Sequence, residues 1–188
     1  FQGNLYLATN KGELLEVDQE TGKIKRRMSL GFELSVRGRM SGGHYFVGNT
    51  QGRLFCLDPT AQSLLWSYDC GGQITSPPTV DGEWVIVPTA DGKLHCLTIL
   101  GGIKWVYDIQ EAILPETDGV IFKNYFLIGT KRGAVSCVDI WSGGLSWNFK
   151  TAGFYEKDQK GIRSSGGVSR GRFFIGSEDH SFYCFSLD

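Results

Sequence analysis

The sequence has almost no net charge: 19 Lys and Arg stand against 20 Asp and Glu, leaving −1 over 188 residues. That balance excludes the large basic excess of a nucleic-acid or anionic-membrane surface, so neither is expected as a partner. No apolar run approaches 18 residues, so no membrane-spanning helix is expected. Proline is scarce, at 5, which rules out a disordered Gly/Pro tract. No Cys-x-x-Cys pair occurs, which removes zinc-ribbon and thioredoxin-type readings. The Asn-x-Ser/Thr sequon is missing too, as are the basic start and apolar stretch of a signal peptide. Phe1-Gln2-Gly3 reads instead as the tail of a cleaved tag, with the domain expected over 4–188. Five cysteines, an odd number, leave at least one unpaired and slightly favour a reducing, cytoplasmic compartment, with the bacterial envelope as the alternative.

What is abundant is glycine, 26 residues, about twice ordinary usage. Many glycines between short aromatic and β-branched runs mean many turns between many strands. Five stretches repeat: 5–18, 45–58, 85–98, 126–139 and 173–186. Their shared turn is held by Gly12, Gly52, Gly92, Gly133 and His180, giving steps of 40, 40, 41 and 47. A period near 40 built from short strands and Gly turns predicts an all-β fold, a β-propeller with one four-stranded antiparallel blade per repeat. We label the blade strands A to D from the channel outward. Strand A lies between repeats, around 74–80 and 164–168, with Pro77 and Pro78 placed in a channel-lining edge strand. The turn between C and D includes Thr21-Gly22, Ala61-Gln62, Gly101-Gly102 and Ser142-Gly143.

Cys56, Cys96, Cys137 and Cys184 occupy one equivalent position in strand C, where the first repeat has Glu16. Equivalent positions in different blades lie on a ring, too far apart to share an ion. They read as small buried residues.

Cys137-Val-Asp139-Ile-Trp-Ser-Gly143-Gly-Leu-Ser-Trp147 resembles the Ala-x-Asp-x-x-Thr-Gly-x-x-x-Trp docking motif of the quinoprotein (PQQ)-like propeller repeat family. The run from Cys56 to Trp66 matches at the same length. The run from Cys96 to Trp105 is one residue short, and the first repeat has Arg26 in place of the tryptophan. The resemblance implies that Trp66, Trp105 and Trp147 dock neighbouring blades. Quinone-dependent dehydrogenases of the family are similar to eight-bladed rings with a calcium-bound quinone, a vicinal cysteine disulfide and carboxylate ligands. None of those signatures stands out here, so neither enzyme activity nor a cofactor or metal is expected. The chain resembles the non-enzymatic branch, which includes BamB-like envelope assembly factors and accessory domains of acyl-activating enzymes and receptor kinases.

The strand count is B-C-D, three full blades, then A-B-C, or 18 strands. The two end pieces both supply B and C, so they do not sum to one blade. One reading is a segment of a larger seven- or eight-bladed ring. The other is a five-bladed or open array whose edges are capped by another copy, which would make a homo-oligomer.

Catalytic motifs are absent. Gly167-Val-Ser169-Arg-Gly171 matches the nucleophile-elbow string, but a strand follows it rather than a helix, so it reads as an A–B turn. His44, His95 and His180 read as solvated or edge residues. Two features remain as candidates for contact with a protein or peptide. One is the six-residue insertion in the loop 152–163, with Phe154, Tyr155 and Lys157. The other is a basic channel rim formed by Arg37, Arg39, Lys160 and Arg163, suited to a carboxylate, phosphate or acidic peptide. The expected function is a non-catalytic binding scaffold. The alternatives are a small-molecule-binding or sensor propeller, or a quinone-dependent dehydrogenase fragment.

Overall fold

A computed structural model describes residues 3–34, 37–60, 62–115 and 117–187. Phe1 and Gln2 of the expected tag remnant, and Ala61 of one expected turn, lie outside the described residues. The described residues form five antiparallel sheets. The first has β1 (Asn4–Ala8), β2 (Glu13–Asp18) and β3 (Ile24–Ser29). The second has β4 (Arg39–Ser41), β5 (His44–Gly48), β6 (Arg53–Asp58) and β7 (Ser63–Asp69). The third has β8 (Thr79–Asp81), β9 (Trp84–Pro88), β10 (Lys93–Thr98) and β11 (Ile103–Asp108). The fourth has β12 (Val120–Phe122), β13 (Tyr125–Gly129), β14 (Ala134–Asp139) and β15 (Leu145–Lys150). The fifth has β16 (Gly167–Ser169), β17 (Arg172–Gly176) and β18 (Phe182–Ser186). Each sheet is one propeller blade with its strands in sequence order.

The strand patterns follow from stacking blades face to face. The middle strands β5, β9 and β13 are near-continuous apolar runs because both their faces are covered. The outer strands β7 and β11 largely alternate exposed and half-buried residues, as an edge strand with one covered side must, while in β15 Trp147 alone is half-buried and the rest is exposed. At the two ends of the array, β1 and β18 also alternate, and Leu5, Leu7 and Phe182 stand 50%, 51% and 73% exposed.

Among the described residues, four apolar clusters fill the gaps between successive blades. Phe46, Leu54 and Cys56 of the second blade meet Val85, Val87 and Leu97 of the third. Ile86, Leu94 and Cys96 meet Phe126, Val138 and Ile140. Leu127, Val135 and Cys137 meet Phe173 and Ile175. Leu14 meets Tyr45, Val47, Phe55 and Leu57.

The B–C turn needs φ > 0 and almost no side-chain room. Gly92 has φ +92, and a Cβ there would fall 2.2 Å from the Glu111 carbonyl oxygen of the following D–A loop. Any other residue would clash with backbone as well as strain the turn. In the fifth blade His180 holds the position at φ +65.

The A strands are shorter than the sequence suggests, three residues each. Pro77 and Pro78 precede β8 rather than lying in it, because a residue without an N–H cannot donate to the ladder. Gly167-Val-Ser169 is strand β16, and Arg170 and Gly171 make the turn into β17 with φ +48 and +71, so the string is an A–B turn.

Candidate partner-binding surface

Strand alternation sorts the connections onto two faces. B–C turns and D–A loops share one face of the array; A–B and C–D turns share the other. The candidate residues Phe154, Tyr155, Lys157, Arg163 and Arg37 all belong to D–A loops of the first face, and Arg39 opens the A strand next to it.

The blades beneath this surface are joined by a recurring contact. A bulge falls at the same place in every C–D pair, between Glu16/Val17, Cys56/Leu57, Cys96/Leu97 and Cys137/Val138. It sets each strand-C cysteine opposite the strand-D tryptophan, as in Cys56↔Trp66, Cys96↔Trp105 and Cys137↔Trp147. Trp66 Nε1 donates to the Ile99 carbonyl at 3.0 Å, and Trp105 Nε1 to the Ile140 carbonyl at 2.6 Å, in each case reaching the next blade. The rings lie on glycines of the next C–D turn: a Cβ on Gly101 or Gly143 would come within 2.8 or 2.5 Å of them. Trp147 stacks on Phe185 at 5.4 Å. In the first blade the opposed pair is Glu16 and Arg26, joined at 2.6 Å, and Arg26 Nη1 reaches the Thr60 carbonyl of the next blade at 3.0 Å. An ion pair with a cross-blade hydrogen bond thus stands where the other blades use a thiol and an indole. Trp84 and Trp141, outside these positions, meet edge to face at 5.0 Å.

The expected basic rim is largely committed to carboxylates. Arg37 and Arg39 converge, and both meet Asp118, at 3.2 and 2.6 Å. Asp118 precedes the A strand of the fourth blade, so the two arginines tie the second blade to it across the inner side. Arg163 pairs with Glu178 at 2.5 Å and holds its carboxyl below the usual range.

The inserted loop is anchored rather than loose. A 3₁₀ turn spans Ala152–Tyr155. Asp179 accepts from the Gly153 N–H at 3.0 Å and from the Tyr183 hydroxyl at 2.7 Å. Burial acts to raise the Asp179 carboxyl, but bonds from Tyr183 and the Gly153 and Ser181 amides hold it down at about 2. Glu178 accepts from the Gly161 N–H at 3.0 Å. Phe154 is half-buried, with the Arg132 guanidinium 4.7 Å and the Lys150 ammonium 4.4 Å from its ring centre. Tyr155 packs edge to face on Phe154 and is 74% exposed. Lys157 is exposed.

Sequence reasoning missed Arg132, Lys150, Asp118, Glu178 and Asp179. Aligning the repeats carries a signal for some of them. The B–C turn reads Lys131-Arg132-Gly133 in the fourth blade and Glu178-Asp179-His180 in the fifth. Two adjacent turns of opposite sign therefore flank the only long insertion.

His95 departs from the solvated reading. It is 4% exposed, lies between blades, and its Nδ1 is 3.2 Å from the Tyr68 hydroxyl; burial lowers its pKa. Among the described residues, no three His, Cys, Asp or Glu side chains gather to hold a metal ion.

A profile of the family described as "Outer membrane protein assembly factor BamB" matches residues 10–188. The BamB of Nitrosomonas eutropha is 30% identical over 150 residues, which is 77% of this chain and 36% of that protein. The BamB of Shewanella oneidensis is 34% identical over 106 residues, 54% of this chain and 27% of that protein. The chain thus spans about a third of the length of the curated relatives it matches. The crystal structure of BamB from Moraxella catarrhalis superposes with a TM-score of 0.86 at 19% identity, covering all of this chain and 59% of that one. A computationally designed protein, Ika8, superposes at 0.75 and 13% identity, over 98% of this chain and 55% of that one. These two likenesses concern the fold.

The relatives correct the compartment inferred from cysteine. All those matched are named outer membrane protein assembly factors, which does not fit a cytoplasmic preference. Four of the thiols are unpaired because each is buried in its own place in the core, whereas Cys184, expected to be buried like its strand-C equivalents, is exposed because no outer strand covers β18 among the described residues. Burial pushes Cys56, Cys70, Cys96 and Cys137 up to about 12, so their reduced state says nothing about surroundings.

Proposed function

Because the chain belongs to the Outer membrane protein assembly factor BamB family, we propose that it is a non-catalytic β-propeller scaffold that holds a protein or peptide partner during outer-membrane protein assembly. The face of B–C turns and D–A loops carries the contact. Phe154, Tyr155, Lys157 and Arg163 form its main patch, and Arg37 and Arg39 a second one nearer the channel. Trp66, Trp105 and Trp147 keep the blades in the spacing that fixes these loops relative to one another.

One observation supports this reading above the others: an exposed aromatic, Tyr155, sits on a loop pinned at Gly153 by Asp179 and at Gly161 by Glu178. A pre-ordered loop loses little conformational entropy on binding, and exposed aromatics beside cations are the side chains that dominate interface energetics. The relatives are named as assembly factors rather than enzymes, in keeping with a binding role.

The test is the double variant Phe154→Ala, Tyr155→Ala, assayed for capture of outer-membrane assembly proteins purified from an organism such as Shewanella oneidensis. The melting temperature should change little and capture should be lost. Capture at the parent level would remove the loop from the interface.

A further inference from the structure

The charges around the loop 152–163 are not all committed in the same way. On one side, the acidic turn of the fifth blade is fully engaged: Glu178 by Arg163 and the Gly161 N–H, Asp179 by Tyr183 and the Gly153 N–H. On the other side, the basic turn of the fourth blade is not. Among the described residues no carboxylate lies within ion-pair distance of Lys131, Arg132, Lys150, Lys157 or Lys160. Arg132 and Lys150 instead lie within 5 Å of the single ring of Phe154. With the Gln159 amide turned so that its oxygen faces the guanidinium, Arg132 Nε and Nη2 donate to it at 3.1 and 3.2 Å.

Bringing two like charges to one ring is unfavourable on its own. The face of an aromatic ring offsets only about 0.5–1 kcal/mol per cation at an exposed site. An anion placed beside them would relieve the repulsion and gain charge-assisted hydrogen bonds from the Lys150 ammonium and from Arg132 Nη1, which Gln159 leaves open. Glu156 and Asp158 interrupt the cations along the loop. A broad, uniformly anionic surface would meet those two carboxylates as well as the cations, which favours a short acidic segment.

We infer that the loop face, with Lys131, Arg132 and Lys150 joining Phe154 and Tyr155, selects an acidic peptide segment of the partner that carries an aromatic or aliphatic residue to set against Tyr155. This rests on the reading of the loop as the partner site and adds the chemistry of the partner.

The probe is a short fluorescein-labelled peptide rich in Asp and Glu with one central Phe, followed by fluorescence anisotropy with the 188-residue chain. Three controls accompany it: a Lys-rich counterpart, an uncharged peptide with the same Phe, and vesicles containing phosphatidylglycerol. The acidic peptide should bind and the Lys-rich one should not. Affinity should fall about tenfold or more between ionic strengths of about 0.01 and 0.1 M, where the Debye length drops from roughly 30 to 10 Å. The variant Arg132→Glu, Lys150→Glu should weaken binding at least about tenfold, whereas Lys104→Glu on the blade edge should not. If that variant loses its fold, Lys131→Glu, Lys157→Glu tests the same field with exposed residues.

No binding of the acidic peptide at low salt overturns the inference, as does vesicle binding that outcompetes the peptide. Equal binding of the uncharged peptide, lost with Tyr155→Ala, overturns the charge selection and leaves the loop reading standing. Acidic-peptide binding that no loop variant alters overturns both.

Discussion

Replacing Trp105 by alanine removes the contact that joins the third and fourth blades at their outer side. The indole Nε1 donates to the Ile140 carbonyl at 2.6 Å, and the ring lies against Gly143 and the cluster formed by Cys96, Phe126 and Val138. Truncating a large buried aromatic costs about 3–5 kcal/mol. Trp105 is half-buried, so the lower end applies, and the hydrogen bond adds about 1 kcal/mol. A total of about 3–4 kcal/mol corresponds to a melting temperature lower by about 6–16 °C for a domain of this size. Trp105→Phe keeps most of the ring and loses the donor, so it should cost about 1 kcal/mol, or about 2–4 °C. Gly143→Ala should resemble the alanine variant, because its φ is +70 and the new Cβ would push into the ring. Trp147→Ala should cost less than Trp105→Ala, since Trp147 rests on Phe185 without an indole hydrogen bond among the described residues. Differential scanning calorimetry on the four variants reads the order directly. A Trp105→Ala protein melting within about 2 °C of the parent would refute blade docking as the source of stability.

Arg26→Ala should destabilise by about 1–3 kcal/mol in urea unfolding, because it strands Glu16, 4% exposed, without its cation; the exchange Glu16→Cys, Arg26→Trp should recover that loss by building the pair the other blades use. Asp179→Ala should raise amide exchange at Gly153 and leave the core slow. Since the folded Asp179 carboxyl is held at about 2, below its ordinary value, its contribution is complete above about pH 4 and fades as pH falls toward 2, and exchange at Gly153 should follow that window. In native protein, Cys184 should react with a thiol reagent at once, and Cys56, Cys70, Cys96 and Cys137 only on unfolding. Calcium, quinones and nucleotides should leave the melting temperature unchanged; a rise of several degrees with any of them would favour a sensor over a scaffold.

The blades were legible in the sequence because each depends on local chemistry. A turn glycine, two flanking apolar runs and a strand-D tryptophan recur every forty residues or so, and hairpins need nothing from elsewhere in the chain. The A strands were misplaced because their three residues carry almost no pattern, and the prolines mark the approach to β8 rather than the strand. The fate of the basic residues was out of reach for another reason. Arg37 finds Asp118 81 residues away, a pairing set by ring curvature rather than by any sequence spacing. Around the loop, the aromatic insertion stood out by length, but its anchoring by Asp179 and Glu178 became visible only when adjacent B–C turns were compared. Cysteine misled on compartment because burial, not the redox surroundings, keeps those thiols apart.

The face of B–C turns and D–A loops, rather than the opposite face, should meet the partner. A photo-cross-linking residue at Tyr155 and another at Leu100, which is 83% exposed in a C–D turn of the other face, test it in one experiment with purified outer-membrane assembly proteins. Adducts from position 155 and none from position 100 are predicted. Adducts from position 100 alone would contradict the account.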